Sequence, residues 1–312
     1  MAKPGLQMKG QRFFQTMLVA VLAFAGMAAG AQARLQVVVT TNIVADTVKN
    51  VVGDAADVIS LMGPGVDPHL YNATQGDLRT LSRADVIFYN GLDLEGRMGN
   101  VLAQMGRRKP TFAVTEYMTT DELLLDPDWA TADPHVWFDL PLWKKAVLRV
   151  RDAMSEVDPE NAAVYHENAA RFLAEIDALH GWVEEQIASI PEERRVLVTA
   201  HDAFGYFGAR YGIEVVGLQG LSTDTEYGLA DVRNLVNLVI DRRIGAIFAE
   251  TSVSSHGIQA VIEGARAQGH TVRIGGELFS DALDAPGTPG GTFLGMIRHN
   301  VSTIVAGLTS GL

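Results

Sequence analysis

The sequence predicts an α/β protein built as two lobes, each a parallel sheet flanked by helices, with one long helix joining them. Three observations predict it. Short β-branched runs alternate with stretches of helical spacing along most of the chain, the pattern of a parallel sheet with helices on its faces. Those runs are nearly continuously apolar, as strands buried on both faces are. One uninterrupted amphipathic stretch, 158–190, then divides the remaining chain into nearly equal halves.

At the N-terminus, Lys3, Lys9 and Arg12 precede the apolar run 17–25, and Ala31-Gln32-Ala33 supplies a small-x-small cleavage pattern. Residues 1–33 therefore read as a cleavable secretory signal peptide. Its apolar core is too short for a membrane span. The mature chain is expected to be periplasmic, monomeric and without a transmembrane segment. Of 312 residues, 279 then remain, enough for one or two sizeable cores. The chain has no cysteine, so the fold relies on packing alone and no thiol is present at the cleavage site to carry a lipid. Loss of the three basic residues takes the formal charge from −12 to −15. That argues against nucleic acid or an anionic membrane surface as partner and suits a protein that handles cations.

In the first half, 34–157, the run 35–41 reads as a buried strand and 42–52 as a helix. The strand 56–62 ends in Gly63-Pro-Gly-Val-Asp-Pro-His69, a loop rich in turn formers. A helix over 77–83 and a strand over 85–90 follow. Residues 119–134 are polar and acidic, and they lead into Ala132-Asp-Pro-His-Val-Trp-Phe-Asp139, where histidine again follows proline directly. A helix is expected from Val147 toward Asp158.

The joining helix, 158–190, carries Tyr165, Ala169, Phe172, Ile176, Leu179, Val183, Ile187 and Ile190 at steps of three and four. Asp158 suits its N-cap and Pro159 its first position, and Pro191 stops it. At 1.5 Å per residue it spans roughly 45 Å, more than one small lobe needs.

The second half, 191–312, repeats the architecture without repeating the sequence. Strands are expected at 195–200, 214–218, 244–250 and 271–275, and helices at 231–242, 257–268 and 292–308. A Pro/Gly-rich loop over 280–291, expected to lack packing residues, precedes the last helix. The first of these strands ends at His201, the third at Glu250, and Asp281 follows the fourth.

In open parallel sheets, ligands bind beyond the carboxyl ends of the strands. His69 and His135 lie in such loops of the first half, His201 and Asp281 in those of the second, so all four can face one cleft. Three imidazoles and one carboxylate suit a divalent transition metal. Four protein ligands close a tetrahedral shell around zinc, whereas a catalytic zinc keeps one position open for water. If all three imidazoles bind, metal should displace close to three protons between roughly pH 6 and 4.5. His166, His180, His256 and His270 read as surface or packed residues and His299 as structural. Glu250 reads as a hydrogen-bonding group near the cleft, and Trp137 and Phe138 as walls of the site.

Taken with Val198-Thr-Ala-His-Asp-Ala-Phe-Gly-Tyr-Phe207 and Ile274-Gly-Gly-Glu-Leu-Phe-Ser-Asp281, the two Pro-His motifs resemble the cluster A-I (family 9) solute-binding proteins. These are the periplasmic receptors of zinc, manganese and iron ABC importers. The resemblance spans 35–310 with four motifs in order. It implies two four-stranded parallel lobes bridged by one helix, one transported divalent metal (zinc or manganese, with iron the third choice), and an importer permease as partner. It also implies His69, His135, His201 and Asp281 as the metal ligands. A histidine at 201, where manganese receptors often carry glutamate, points toward zinc. The absence of histidine from 119–134, where dedicated zinc receptors often have a His-rich loop, points away from it. The rival reading is a secreted metal-dependent hydrolase using the same histidines, with Glu250 or Asp202 as base. The chain has no Gly-x-x-x-x-Gly-Lys-Ser/Thr loop and is not the ATPase of such an importer.

Overall fold

Three consecutive valines make the first strand the centre of its sheet. In β1 (Leu35–Val39), Val37 and Val39 enter one apolar cluster, and Val38, on the opposite face, enters another. Both faces are covered, so the sheet is parallel throughout, in the order β2-β1-β3-β4 with β2 (Ala56–Ser60), β3 (Val86–Tyr89) and β4 (Thr111–Ala113). The structure is a computed structural model and describes residues 1–2, 34–125 and 131–310. The expected signal peptide, apart from Met1 and Ala2, and the acidic residues 126–130 lie outside the described residues.

Helix α1 (Asn42–Val52) covers one face of the sheet, with Ile43, Val44, Val48, Val51 and Val52 buried and Thr41 capping Val44. Helix α2 (Gln75–Arg83) begins at a capping box of Thr74 and Asp77, and α3 (Gly99–Gly106) packs Leu102 beside Leu81 on the opposite face. Sequence reading passed over α3 and β4. Both are short, and α3 begins and ends on glycine. Helix α4 (Leu140–Val157) starts earlier than expected, because Asp139 accepts the Leu142 N–H at 3.0 Å and Pro141 fits its first turn.

The long helix α5 spans Ala162–Ala188. It starts later than its expected first residue, since Pro159–Asn161 form a 3₁₀ turn. Asp158 accepts the Tyr165 hydroxyl at 2.6 Å and the Asn161 amide at 2.8 Å, and does not cap the helix. The apolar stripe is as read, with Tyr165 through Ile190 at or below 1% exposure.

The second half holds β5 (Val196–His201), α6 (Gly205–Tyr211), β6 (Glu214–Gln219), α7 (Leu229–Asp241), β7 (Ala246–Glu250), α8 (His256–Ala267), β8 (Arg273–Leu278) and α9 (Phe293–Thr309). Its strands form two parallel pairs, β5-β6 and β7-β8. This departs from the single four-stranded sheet implied by the resemblance. Strand β5 lies against β7, but no backbone ladder joins them among the described residues. At the end of β5 the His201 N–H goes to the Glu250 carboxylate at 2.8 Å.

One apolar cluster runs from β1 and α1 through α4 and the α5 stripe to Phe204, Phe248 and α9, so the described residues from Leu35 to Ser310 pack as one unit around the long helix. No helix among the described residues is long and apolar enough to cross a membrane.

Candidate metal centre

All four residues singled out from sequence meet at one point. His69, His135, His201 and Asp281 each turn a donor atom inward, and these atoms lie within 4.8 Å of one another. His69 Nε2 is 3.3 Å from His135 Nε2, His135 Nε2 is 3.4 Å from Asp281 Oδ1, and His201 Nε2 is 3.3 Å from Asp281 Oδ2. A tetrahedron with zinc–nitrogen bonds of about 2.0–2.1 Å has edges of about 3.3–3.4 Å. The three separations therefore match the edges of a metal coordination shell. His201 Nε2 and Asp281 Oδ1 are buried and have no hydrogen-bond partner, a costly state for atoms that serve no ligand.

Two loops deliver the first pair of imidazoles by the same device. In Asp67-Pro68-His69 the Asp67 Oδ1 accepts the His69 N–H at 2.8 Å, and in Asp133-Pro134-His135 the Asp133 Oδ1 accepts the His135 N–H at 2.8 Å. Proline has no N–H, so the aspartate reaches the next donor in a tight turn. Asp133 Oδ1 also lies 2.7 Å from His135 Nδ1, which turns Nε2 toward the centre. Asp67 Oδ2 instead accepts the Thr223 hydroxyl, at 2.5 Å, from the opposite side of the cleft.

The second pair is held from below. Glu250 ends β7 next to His201, with Oε2 2.5 Å from His201 Nδ1. Gly217 on β6 lets the turn after His201 lie close against β6, since a Cβ there would sit 2.6 Å from Asp202 N. Asn300 takes the Phe279 N–H at 3.0 Å and gives its own amide to the Phe279 carbonyl at 2.7 Å. Trp137 Nε1 donates to the Ser280 carbonyl at 3.1 Å, and Asn42 makes two hydrogen bonds to Leu283. Asp281 is thus fixed by both halves of the molecule. Ser280 through Leu283 are buried, which corrects the expectation that 280–291 lacks packing residues.

The profile of the family described as zinc-uptake complex component A, periplasmic (ZnuA), matches residues 37–307. The chain belongs to the ZnuA family. It is 50% identical over 278 residues to the manganese-binding lipoprotein MntA of Bacillus subtilis, covering 89% of this chain and 91% of that one. It is 43% identical over 286 residues to the zinc-binding protein TroA of Treponema pallidum, covering 92% of each. The solved structure of periplasmic TroA superposes with a TM-score of 0.87, covering 88% of this chain and 99% of TroA. A manganese-bound periplasmic protein of Candidatus Liberibacter asiaticus, 24% identical, shares the fold with a TM-score of 0.77 over 88% of this chain and 100% of that one.

In this member of the ZnuA family the surrounding carboxylates divide the imidazoles electrostatically. Burial pulls the His135 pKa down, but Asp133 and Asp281 outweigh it and raise it to about 9. His201 is held well above the imidazole range by Glu250 and Asp281 against the same burial penalty. His69 has no carboxylate on its ring. Burial and the neighbouring imidazoles lower it to about 3, with Asp281 opposing them. Burial raises Asp281, yet His201 and His135 bring it well below the carboxylate range. A charged carboxylate and proton-loving imidazoles are what a cation would exchange with.

The other histidines stand apart. His180 bonds the Tyr211 hydroxyl at 3.0 Å, His270 the Ile244 carbonyl at 2.8 Å, and His299 the Glu277 carbonyl at 3.0 Å. His256 pairs with Ser254 at 2.7 Å. Trp137 does wall the site, its ring edge-on to His135 at 5.3 Å, and Phe138 stacks behind it on Phe204 at 4.5 Å. Sequence reading missed Asp67 and Asp133, although the Asp-Pro-His tripeptide occurs twice. It missed Asn42 and Asn300 altogether, because their partners are backbone groups far away in sequence.

Proposed function

We propose that this protein captures one divalent transition-metal ion with His69, His135, His201 and Asp281 and delivers it to the permease of an ABC-type importer. The observation that carries the assignment is the convergence of three imidazoles and a carboxylate at coordination-shell spacing on a buried point. Burial excludes competing water, and Asp133 and Glu250 orient two of the rings, as carboxylates behind metal-binding histidines do.

The family supports the transport role, and the relatives named for manganese and zinc support a site that takes either. Asp281 faces His135 with Oδ1 and His201 with Oδ2. It can therefore bind through one oxygen for tetrahedral zinc or through both for manganese, which accepts more oxygen donors. Zinc binds more tightly, as the affinity order of divalent metals requires in a site that fits both. Residues 34–157 and 191–312 act as the two lobes and 158–190 as the link between them. Residues 1–33 are removed on export. The mature chain works as a periplasmic monomer and, having no cysteine, without a thiol-linked lipid.

Binding, not catalysis, is the role this geometry supports. Both Glu250 oxygens are engaged by His201, through its N–H and its Nδ1, so Glu250 is not placed to activate a water. Calorimetric titration of metal-free protein with zinc and with manganese tests the proposal. One site per chain is expected for each metal, lost in His135→Ala; two tight sites, or none, would overturn it.

A further inference from the structure

The four proposed ligands are not equally sheltered. His135, His201 and Asp281 are at most 1% exposed, whereas His69 is 5% exposed. His69 alone among them lines an open recess of about 390 Å³, whose wall also holds Asp93, Arg97, Pro134, Ser222 and Asp224. An ion reaching the centre by this recess meets His69 first, and one leaving by it passes His69 last.

The far wall of the recess is the segment that follows β6. It crosses to the first half at two points. Thr223 gives its hydroxyl to Asp67 Oδ2 at 2.5 Å, and Asp224 forms an ion pair with Arg97 at the surface. The segment is tied to its own half by Gln219, whose amide reaches the carbonyls of Thr223 at 2.8 Å and Thr225 at 2.7 Å. Asp67 is the coupling element. One of its oxygens holds the His69 N–H and the other holds Thr223. His135 has its own carboxylate on the ring, but His69 depends on this loop for its position.

We propose that segment 221–225 is a latch over the metal's passage, and that Thr223, acting through Asp67, is a positioning residue that sets how long the ion stays on His69. This rests on the metal-capture reading above. While the latch is made, Asp67 is immobilised from both sides and His69 is fixed on the ion. When Thr223 lets go, Asp67 and the His69 loop gain freedom together, and the most exposed ligand is the first to leave. The Arg97–Asp224 pair is more exposed and screened by water and salt, so it steers the latch back into register and contributes less to residence time.

The test is the rate of zinc release from the loaded full-length mature protein into an excess of a coloured chelator. Thr223→Val removes the hydroxyl and keeps the shape. It should release zinc about tenfold faster, at the lower end of what loss of a ligand-orienting group costs. Thr223→Ser should restore the wild-type rate. Arg97→Ala should quicken release by a smaller factor. Association should quicken as well in Thr223→Val, so its equilibrium affinity should change less than its release rate. A merely structural residue gives no such split. The control is Arg210→Ala, which breaks a different contact between the halves, to Asp139 at 2.6 Å, and should leave release unchanged. Wild-type release from a Thr223→Val protein that folds and takes up one zinc would overturn the latch and leave the capture reading standing. Equal acceleration in Arg210→Ala, or failure of Thr223→Ser to restore the rate, would also overturn it. A wild-type protein that binds no zinc would remove both readings.

Discussion

At the scale of the residue, charge around each imidazole decides what the site does. Truncating His201 to alanine removes a proposed ligand, whereas His299 only bonds the Glu277 carbonyl and packs on Phe279. His201→Ala should therefore lose far more zinc affinity by calorimetry than His299→Ala. Glu250→Gln should lie between them, about 10–100-fold weaker than wild type. The pH dependence follows from the environments. Metal requires neutral imidazoles, and in the metal-free protein His135 is raised to about 9 and His201 is raised well above 6.5. Both must lose a proton on binding at neutral pH, while His69, lowered to about 3, loses none. Between about pH 4.5 and 6, log affinity for manganese should thus rise with pH with a slope near two, not the three approached there by histidines of ordinary pKa. A slope of three would return His69 to ordinary behaviour, and a slope of one or less would remove His135 or His201 from the ligand set. Stability of the metal-free fold has matching signs. The raised His135 stabilises it fully below about 6.5 and loses that contribution as pH rises through about 9. The lowered His69 costs stability on acidification from 6.5 toward about 3.

At the scale of the element, the long helix and the ligand loops have separate duties. The α5 stripe is the spine of the main apolar cluster, and Phe172 sits in it at 1% exposure against Phe293. Phe172→Ala should cost about 3–5 kcal/mol in urea unfolding of the metal-free protein and leave the metal stoichiometry at one. The loops carry the response to metal. Added metal should protect backbone amides around 67–71 and 280–283 from hydrogen exchange, with little change along Ala162–Ala188. Large protection changes in that helix would show that it bends and is not a strut. The loop over 280–291 looked loose in sequence because of its prolines and glycines. Its first residues are in fact fixed by Asn42 and Trp137, contacts that no local pattern reveals.

At the scale of the whole molecule, the fold closes without covalent help. With no cysteine, unfolding should be insensitive to reductant and sensitive to chelators. A ligand that binds only the folded chain adds about 2.7 kcal/mol when present at 100 times its Kd. Zinc in excess should therefore raise the melting temperature, and a chelator should return it to the metal-free value. No shift with zinc, in protein that melts cooperatively, would contradict a single buried site spanning both halves.

The sequence by itself determined the class of fold, the long helix and the four residues that meet at the centre. Those features are written in local terms: β-branched runs such as 37–39, a three-and-four stripe from Tyr165 to Ile190, two Asp-Pro-His turns in loops, and a histidine and an aspartate at or after the ends of expected strands. The tertiary structure decided what those residues are worth. That His135 keeps a proton and His69 gives it up depends on Asp133, Asp281 and burial, which are matters of distance through space. That Glu250 and Asn300 serve His201 and Phe279 depends on strands and a helix brought together from 49 and 21 residues apart. Whether β5 and β7 share a ladder, and whether Asp67 reaches Thr223 across 156 residues of chain, depends on how the two halves seat on one core. Local pattern fixes periodicity and turns, and only packing fixes the dielectric and the partners that give a side chain its chemistry.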